Sequence, residues 1–406
     1  MSALKQRIVF LLVCLLALLV AFSSHPYIVD ISRDAGMEKG SLLSRYIVWV
    51  FILLFALCFS WSDLIKSKTI RIYSLFLIWI FIFSLITIAF FSDGKLFGEI
   101  RSLVICLIAL AVGWRLDLDD SKIRILLLVF SISTLYIGFA QVFTNVGGFV
   151  IEDQILTDNK NALGLMLATS IAIFTFIAVE RHSNLIWSVF FWIAIVALFA
   201  LILTIRARTA TLVALFSVLL ILYRRINKSY FILIVVSIPV LVIMGMLLLP
   251  TSITDFVTDS FYSGYEGGDI TSGRLGRNRS ALNYLSFHPI LGNLQHESSD
   301  FGWVHNYPLL HLFNNGLVFA FPLLGLYAYL FVFILRRVLH SKINNVREVG
   351  FFAALIPFIV SLAEPTFPFG PGTATVFNFI LFGVAMKYLW TESNHNRQER
   401  KDAAIK

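Results

Sequence analysis

PLLHLFNNGLVFAFPLLGLYAYLFVFIL, residues 308–335, holds no Lys, Arg, Asp or Glu and is long enough to cross a hydrocarbon core of about 30 Å as one helix. It is entered from His305-Asn306 and left through Arg336-Arg337. A helix satisfies its own backbone hydrogen bonds, which is what lipid demands of a spanning segment. This run therefore sets the class of the fold, and the rest of the chain repeats it.

Similar apolar runs occur at about 45–62, 72–91, 98–114, 125–144, 161–179, 185–205, 209–223, 230–249, 349–363 and 374–390. One more follows Lys5 and Arg7 and ends at Ala21; it reads as a first anchor, with a cleaved secretory signal as the alternative. With the run at 308–335, that predicts about 12 transmembrane helices in an all-α, polytopic bundle. Composition agrees, because 58% hydrophobic residues against 14% charged ones leave too few charges to coat a water-soluble globule of 406 residues. Cys14, Cys58 and Cys106 all lie in apolar runs, so neither a disulfide framework nor a metal cluster is expected.

The net charge of +8 is informative through its placement. Threading the chain with its N-terminus inside puts about two-thirds of the Lys and Arg residues on the cytoplasmic side, among them Lys66, Arg124, Arg224, Arg225, Arg336, Arg337 and Arg347. The acidic residues lean the other way. The expected organisation is nine spans over 1–249, a periplasmic loop with short helices over 250–307, three spans over 308–390 and a cytoplasmic tail over 391–406. A partner nucleic acid is not expected from charge of this kind.

Five arginines run against that bias. Arg206 and Arg208 lie in a link too short to leave the membrane surface, and Arg274, Arg277 and Arg279 lie in the long loop. A helix capped by Thr271 or Ser272 and ended by His288-Pro289 carries Arg274, Arg277 and Ala281 on one face and Arg279 on another. Guanidinium forks match phosphate oxygens, so paired arginines near a helix N-terminus predict a pyrophosphate clamp. The plainer alternatives are arginines that anchor a hairpin to headgroups and a solvated basic helix face. His305, at the mouth of the 308–335 run, is of the right type to accept a proton from a hydroxyl, or to serve only as a structural hydrogen-bonding residue. Asp158-Asn159-Lys160-Asn161 reads first as a helix cap and Glu364-Pro365 onward as a rigid turn. No nucleotide-binding glycine loop, zinc spacing or Ser-His-Asp order is present.

These residues resemble the O-antigen ligase and O-antigen polymerase superfamily of bacterial envelope enzymes. Ala207-Arg208-Thr209 is similar to its Ser-Arg-Gly segment, with two departures. Ser272-Gly273-Arg274 followed by His288-Pro289-Ile-Leu-Gly292 resembles its Ser-Gly-Arg through Asn-Pro-Leu-Leu-Gly stretch, and His305-Asn306 with Gly316 resembles its His-Asn motif. The resemblance implies a GT-C-like, metal-independent, inverting glycosyltransferase of the bacterial inner membrane, with its active site facing the periplasm and no cofactor. It implies an undecaprenyl-pyrophosphate-linked glycan as donor, a second glycan or the lipid A core as acceptor, surrounding membrane lipids, and a chain-length regulator as a further partner. Arg208 and Arg274 would neutralise the leaving pyrophosphate and His305 would orient or deprotonate the acceptor. Asn306 joins them as a substrate-binding residue, with Arg206, Arg277 and Arg279 added from spacing. The short span from Gly292 to His305 favours a polymerase over a ligase; a lipid-linked oligosaccharide flippase, which would place charge at mid-membrane, is a third reading.

Overall fold

The computed structural model describes residues 3–24, 42–58, 67–145, 160–180, 185–205, 207–233, 235–237, 273–294, 304–340, 345–370 and 374–405. Among them the chain is helical throughout, with no strand. In chain order the helices are α1 (Ala3–Phe22), α2 (Leu42–Cys58), α3 (Lys68–Phe91), α4 (Lys95–Arg115), α5 (Asp120–Asn145), α6 (Lys160–Val179), α7 (Leu185–Thr204) and α8 (Arg208–Arg225). They are followed by α9 (Arg274–Phe287), α10 (Tyr307–His340), α11 (Val349–Val360) and α12 (Val376–Ile405).

Seven of these, α1, α3 to α7 and α10, are long and apolar enough to cross a membrane. The others on predicted runs fall short for visible reasons. α2 and the Lys228–Ser237 segment are described only as short apolar helices. α8 carries Arg208, Arg224 and Arg225 within 18 residues. α11 has 12 residues. α12 is apolar only to Trp390 and continues as a polar helix to Ile405, where a tail was expected.

The core is built around α6, whose apolar residues are almost wholly buried between α5, α7, α8 and α11. A second seam joins α4 to α12 at Gly113 and Gly383, where the two backbones approach so closely that a β-carbon on Gly113 would lie 2.0 Å from the Ile380 carbonyl oxygen. Small residues permit such backbone contact between apolar helices, where dispersion rather than the hydrophobic effect holds them together. Asn378 crosslinks three helices here, donating to Thr169 Oγ1 of α6 at 3.1 Å and to the Ala353 carbonyl of α11 at 2.7 Å. The outer helices instead turn large apolar side chains outward, as α3 does with Leu75, Ile78, Trp79 and Ile82.

Charged residues meet at both ends of the bundle. Arg124 with Glu180, Arg347 with Asp120 and Lys387 with Asp117 form ion pairs at one end. Arg274, His305 and Glu364 meet at the other.

α10 breaks at Gly316, whose φ of 63° and ψ of 179° are open to glycine and not to other residues. The break would strand polar backbone in an apolar setting, but the Pro289–Asn293 turn fills it. Asn293 N donates to the Phe313 carbonyl at 2.8 Å, and Leu317 N donates to the Pro289 carbonyl at 2.9 Å. Gly292 completes the joint with φ 58°, and a β-carbon there would lie 2.5 Å from Gly316 N. The two glycines of the sequence motifs are thus one interlock, and it fixes α9 against α10.

Candidate functional site

α9 starts from Gly273, whose φ of 77° is left-handed; the cap was expected from Thr271 or Ser272. Both of those residues lie outside the described set, as does Arg206. The helix ends at Phe287 with His288 as its C-cap, as expected. Ala281, Val304, Leu309 and Phe313 form a small apolar core between α9 and the start of α10. With the face below Ala281 buried, Arg277 and Arg274, one and two turns earlier, are aimed into the bundle end, and Arg279 is left exposed.

Arg274 is the centre of a polar network. Its guanidinium meets Glu364 at 2.8 Å, the Ala363 carbonyl at 3.0 Å and Thr209 Oγ1 at 3.4 Å. Glu364 is buried and its second oxygen accepts from Asn161 Nδ2 at 2.9 Å. Four parts of the chain thereby converge: α6 through Asn161, α8 through Thr209, α9 through Arg274 and the turn after α11 through Glu364. Arg208, the first residue of α8, is half-buried next to Thr209.

Arg277 lies with one guanidinium nitrogen 3.0 Å from His305 Nε2. Arginine can only donate, so this contact makes Nε2 the acceptor and leaves the proton of a neutral ring on Nδ1. Burial, followed by the charges of Arg274 and Arg277, pushes the His305 pKa down to about 4. The imidazole is therefore neutral near pH 7, with its basic lone pair held by Arg277. The His305 amide donates to Asn278 Oδ1 at 3.2 Å, which seats the residue on α9.

Asn306 also has a structural role. Its Oδ1 accepts from Leu309 N at 2.9 Å, capping α10, and its Nδ2 donates to the Leu362 carbonyl at 2.9 Å. Each end of the amide makes one such bond, and together they dock the His305 segment on the Ser361–Glu364 turn. Tyr307 N, donating to the Ser361 carbonyl at 2.9 Å, adds to the same seam.

The structure brings Arg274, Arg277 and His305 together, sets Arg208 beside the Arg274 contact through Thr209, and leaves Arg279 outside. The sequence reading took Glu364 first as part of a rigid turn, although a further signal was there: it is the sole acidic residue between Glu348 and Glu392. It also missed Glu99 of α4, which accepts from the Tyr307 hydroxyl at 3.4 Å and lies 3.9 Å from His311 Nε2. Among the described residues, Arg274 meets the carboxylate of Glu364 and Arg277 the imidazole of His305, both with planar donors that suit a phosphorylated anion. Among the described residues, no group of three His, Cys, Asp or Glu side chains is arranged to hold a metal ion.

No protein-family model and no curated protein matches this chain in sequence. The functional reading therefore rests on the motifs and on the site's own geometry.

Proposed function

We propose that this chain is a membrane glycosyltransferase of the O-antigen polymerase kind, with about twelve spans in a GT-C-like arrangement and its site on the periplasmic face of the bacterial inner membrane. It takes a glycan from an undecaprenyl-pyrophosphate donor and passes it to a hydroxyl of an acceptor glycan. The observation that carries this reading is the 3.0 Å contact between Arg277 and a neutral His305, one helical turn from Arg274.

The chemistry follows from that contact. The acceptor oxygen forms a bond to the anomeric carbon, the bond from that carbon to the pyrophosphate oxygen breaks, and the acceptor proton goes to His305 Nε2. Negative charge grows on the leaving pyrophosphate, where Arg208 and Arg274 stabilise it in a setting that screens charge poorly. In the unliganded site Arg277 occupies the lone pair that must take the proton. A bound pyrophosphate, carrying full negative charge, draws Arg277 off the imidazole. Removing that hydrogen bond and offsetting the two positive charges raises the basicity of His305, so the base becomes competent once the donor is in place.

The test is the lipopolysaccharide ladder of a deletion strain, with transfer by purified protein from a lipid-linked donor. Single-repeat capping on the gel is the expected result. Bare core with accumulated lipid-linked polymer would make the enzyme a ligase acting on the lipid A core, and an unchanged ladder with no transfer in vitro would overturn the reading.

A further inference from the structure

At the end of α10 opposite His305, a groove of about 810 Å³ is lined by Ala328, Tyr329, Val332 and Phe333, with Arg336, Arg337 and His340 continuing the same stripe. The steps of one and three residues between them place all seven on one helix face. Its volume is within the range of sites that take small organic molecules. Its character changes along its length, apolar for about two turns and then cationic for about one.

The groove is firmly built. Phe333 packs on Phe351 of α11 and Phe382 of α12, and the Arg337 guanidinium lies over its ring at 5.6 Å. Tyr329 is tied to α3 by its hydroxyl, which donates to Thr69 Oγ1 at 3.4 Å. Lys68 and Arg71, both exposed, flank Thr69 and add charge of the same sign. Elsewhere at this end Arg124, Arg347 and Lys387 each meet a carboxylate of another segment. Among the described residues, Arg336 and Arg337 have no acidic side chain within ion-pair distance. Surface cations that serve only to set orientation need no apolar groove beneath them.

We propose that this groove is a binding site for an anionic phospholipid of the leaflet opposite the transfer site. The acyl chains lie along Ala328, Val332 and Phe333, and the headgroup phosphate takes N–H donors from Arg336 and Arg337. Apolar length followed by paired guanidinium groups is the order in which such a lipid presents its own parts.

The experiment uses the purified full-length chain in detergent, equilibrated with equal amounts of phosphatidylglycerol and phosphatidylethanolamine of identical acyl chains, with retained lipids counted by native mass spectrometry. The wild type is expected to retain phosphatidylglycerol preferentially. In Arg336→Gln/Arg337→Gln that preference falls about 30-fold, from two cations near the headgroup. Lys122→Gln, which removes a cation from the same end of the bundle, leaves it unchanged. Val332→Asp, which charges the apolar part, lowers retention of both lipids. Equal retention of the two lipids by the wild type overturns the proposal even if a variant fails to fold. So does an equal loss in Lys122→Gln, which would indicate general charge, or an acidic polypeptide retained in place of lipid.

Discussion

Two sets of arginines, at opposite ends of the bundle, are used in opposite ways. At one end Arg124 and Arg347 each close on a carboxylate from a different segment, Glu180 and Asp120, so that each charge is answered and the helices are stitched together. At the other, Arg274 meets Glu364 while Arg277, one turn along the same helix, spends a donor on a neutral imidazole. Matched charge is a fastening. A surplus of the same residue type, held in place by its neighbours, is what the proposed pyrophosphate site requires.

Substitutions that keep charge but change shape test that contrast most sharply. Arg274→Lys and Arg208→Lys lose the planar fork, and transfer from a lipid-linked donor is expected to fall at least about 100-fold at matched expression. Arg347→Lys, whose contact with Asp120 runs through a single Nε donor, retains a near wild-type rate. Equal losses at both ends would erase the distinction.

Next in size is His305→Ala, expected to lower turnover by about 100-fold or more with donor binding little changed, since arginine holds the pyrophosphate. A weakened donor affinity with unaltered turnover would reassign His305 to binding.

The pH profile sharpens the role of Arg277. A base must be unprotonated, so kcat/KM of the wild type is lost as pH falls through about 4, where free His305 gains its proton. Removing the neighbouring charge in Arg277→Gln moves that acid limb upward, toward the ordinary histidine value near 6.5. An acid limb that stays in place would separate Arg277 from the base.

Stability gives a smaller contrast. Glu364→Ala leaves Arg274 without its buried partner and should cost about 3 kcal/mol, whereas Asn161→Ala removes a hydrogen bond to a charged group and should cost about 2 kcal/mol. Thermal unfolding in detergent gives the order. Arg279→Ala, exposed and turned away from the site, is expected within about 0.5 kcal/mol of wild type and with full activity.

Much of this architecture was legible in the linear chain, because spanning helices announce themselves by length and apolarity, and because Arg274, Arg277 and Ala281 share a face at helical spacing. Helix α9 and its end at His288 followed from local signals of that sort. What escaped was long-range. Glu364 lies 90 positions from Arg274, and a proline-rich turn hides the meaning of a single carboxylate. At Asn306 the structure adds what the sequence could not show: its amide caps a helix and binds a carbonyl across 56 residues.

The Gly292–Gly316 joint has a consequence for how such a chain can change over time. Because it is made of main-chain atoms, it is indifferent to the identity of nearly every side chain around it. Leu282 and Phe287 on the outer face of α9 are exposed and bear none of the registration, so they are free to be replaced. Two glycines hold the gauge, and the arginines stay aligned with the histidine while the surrounding text is rewritten.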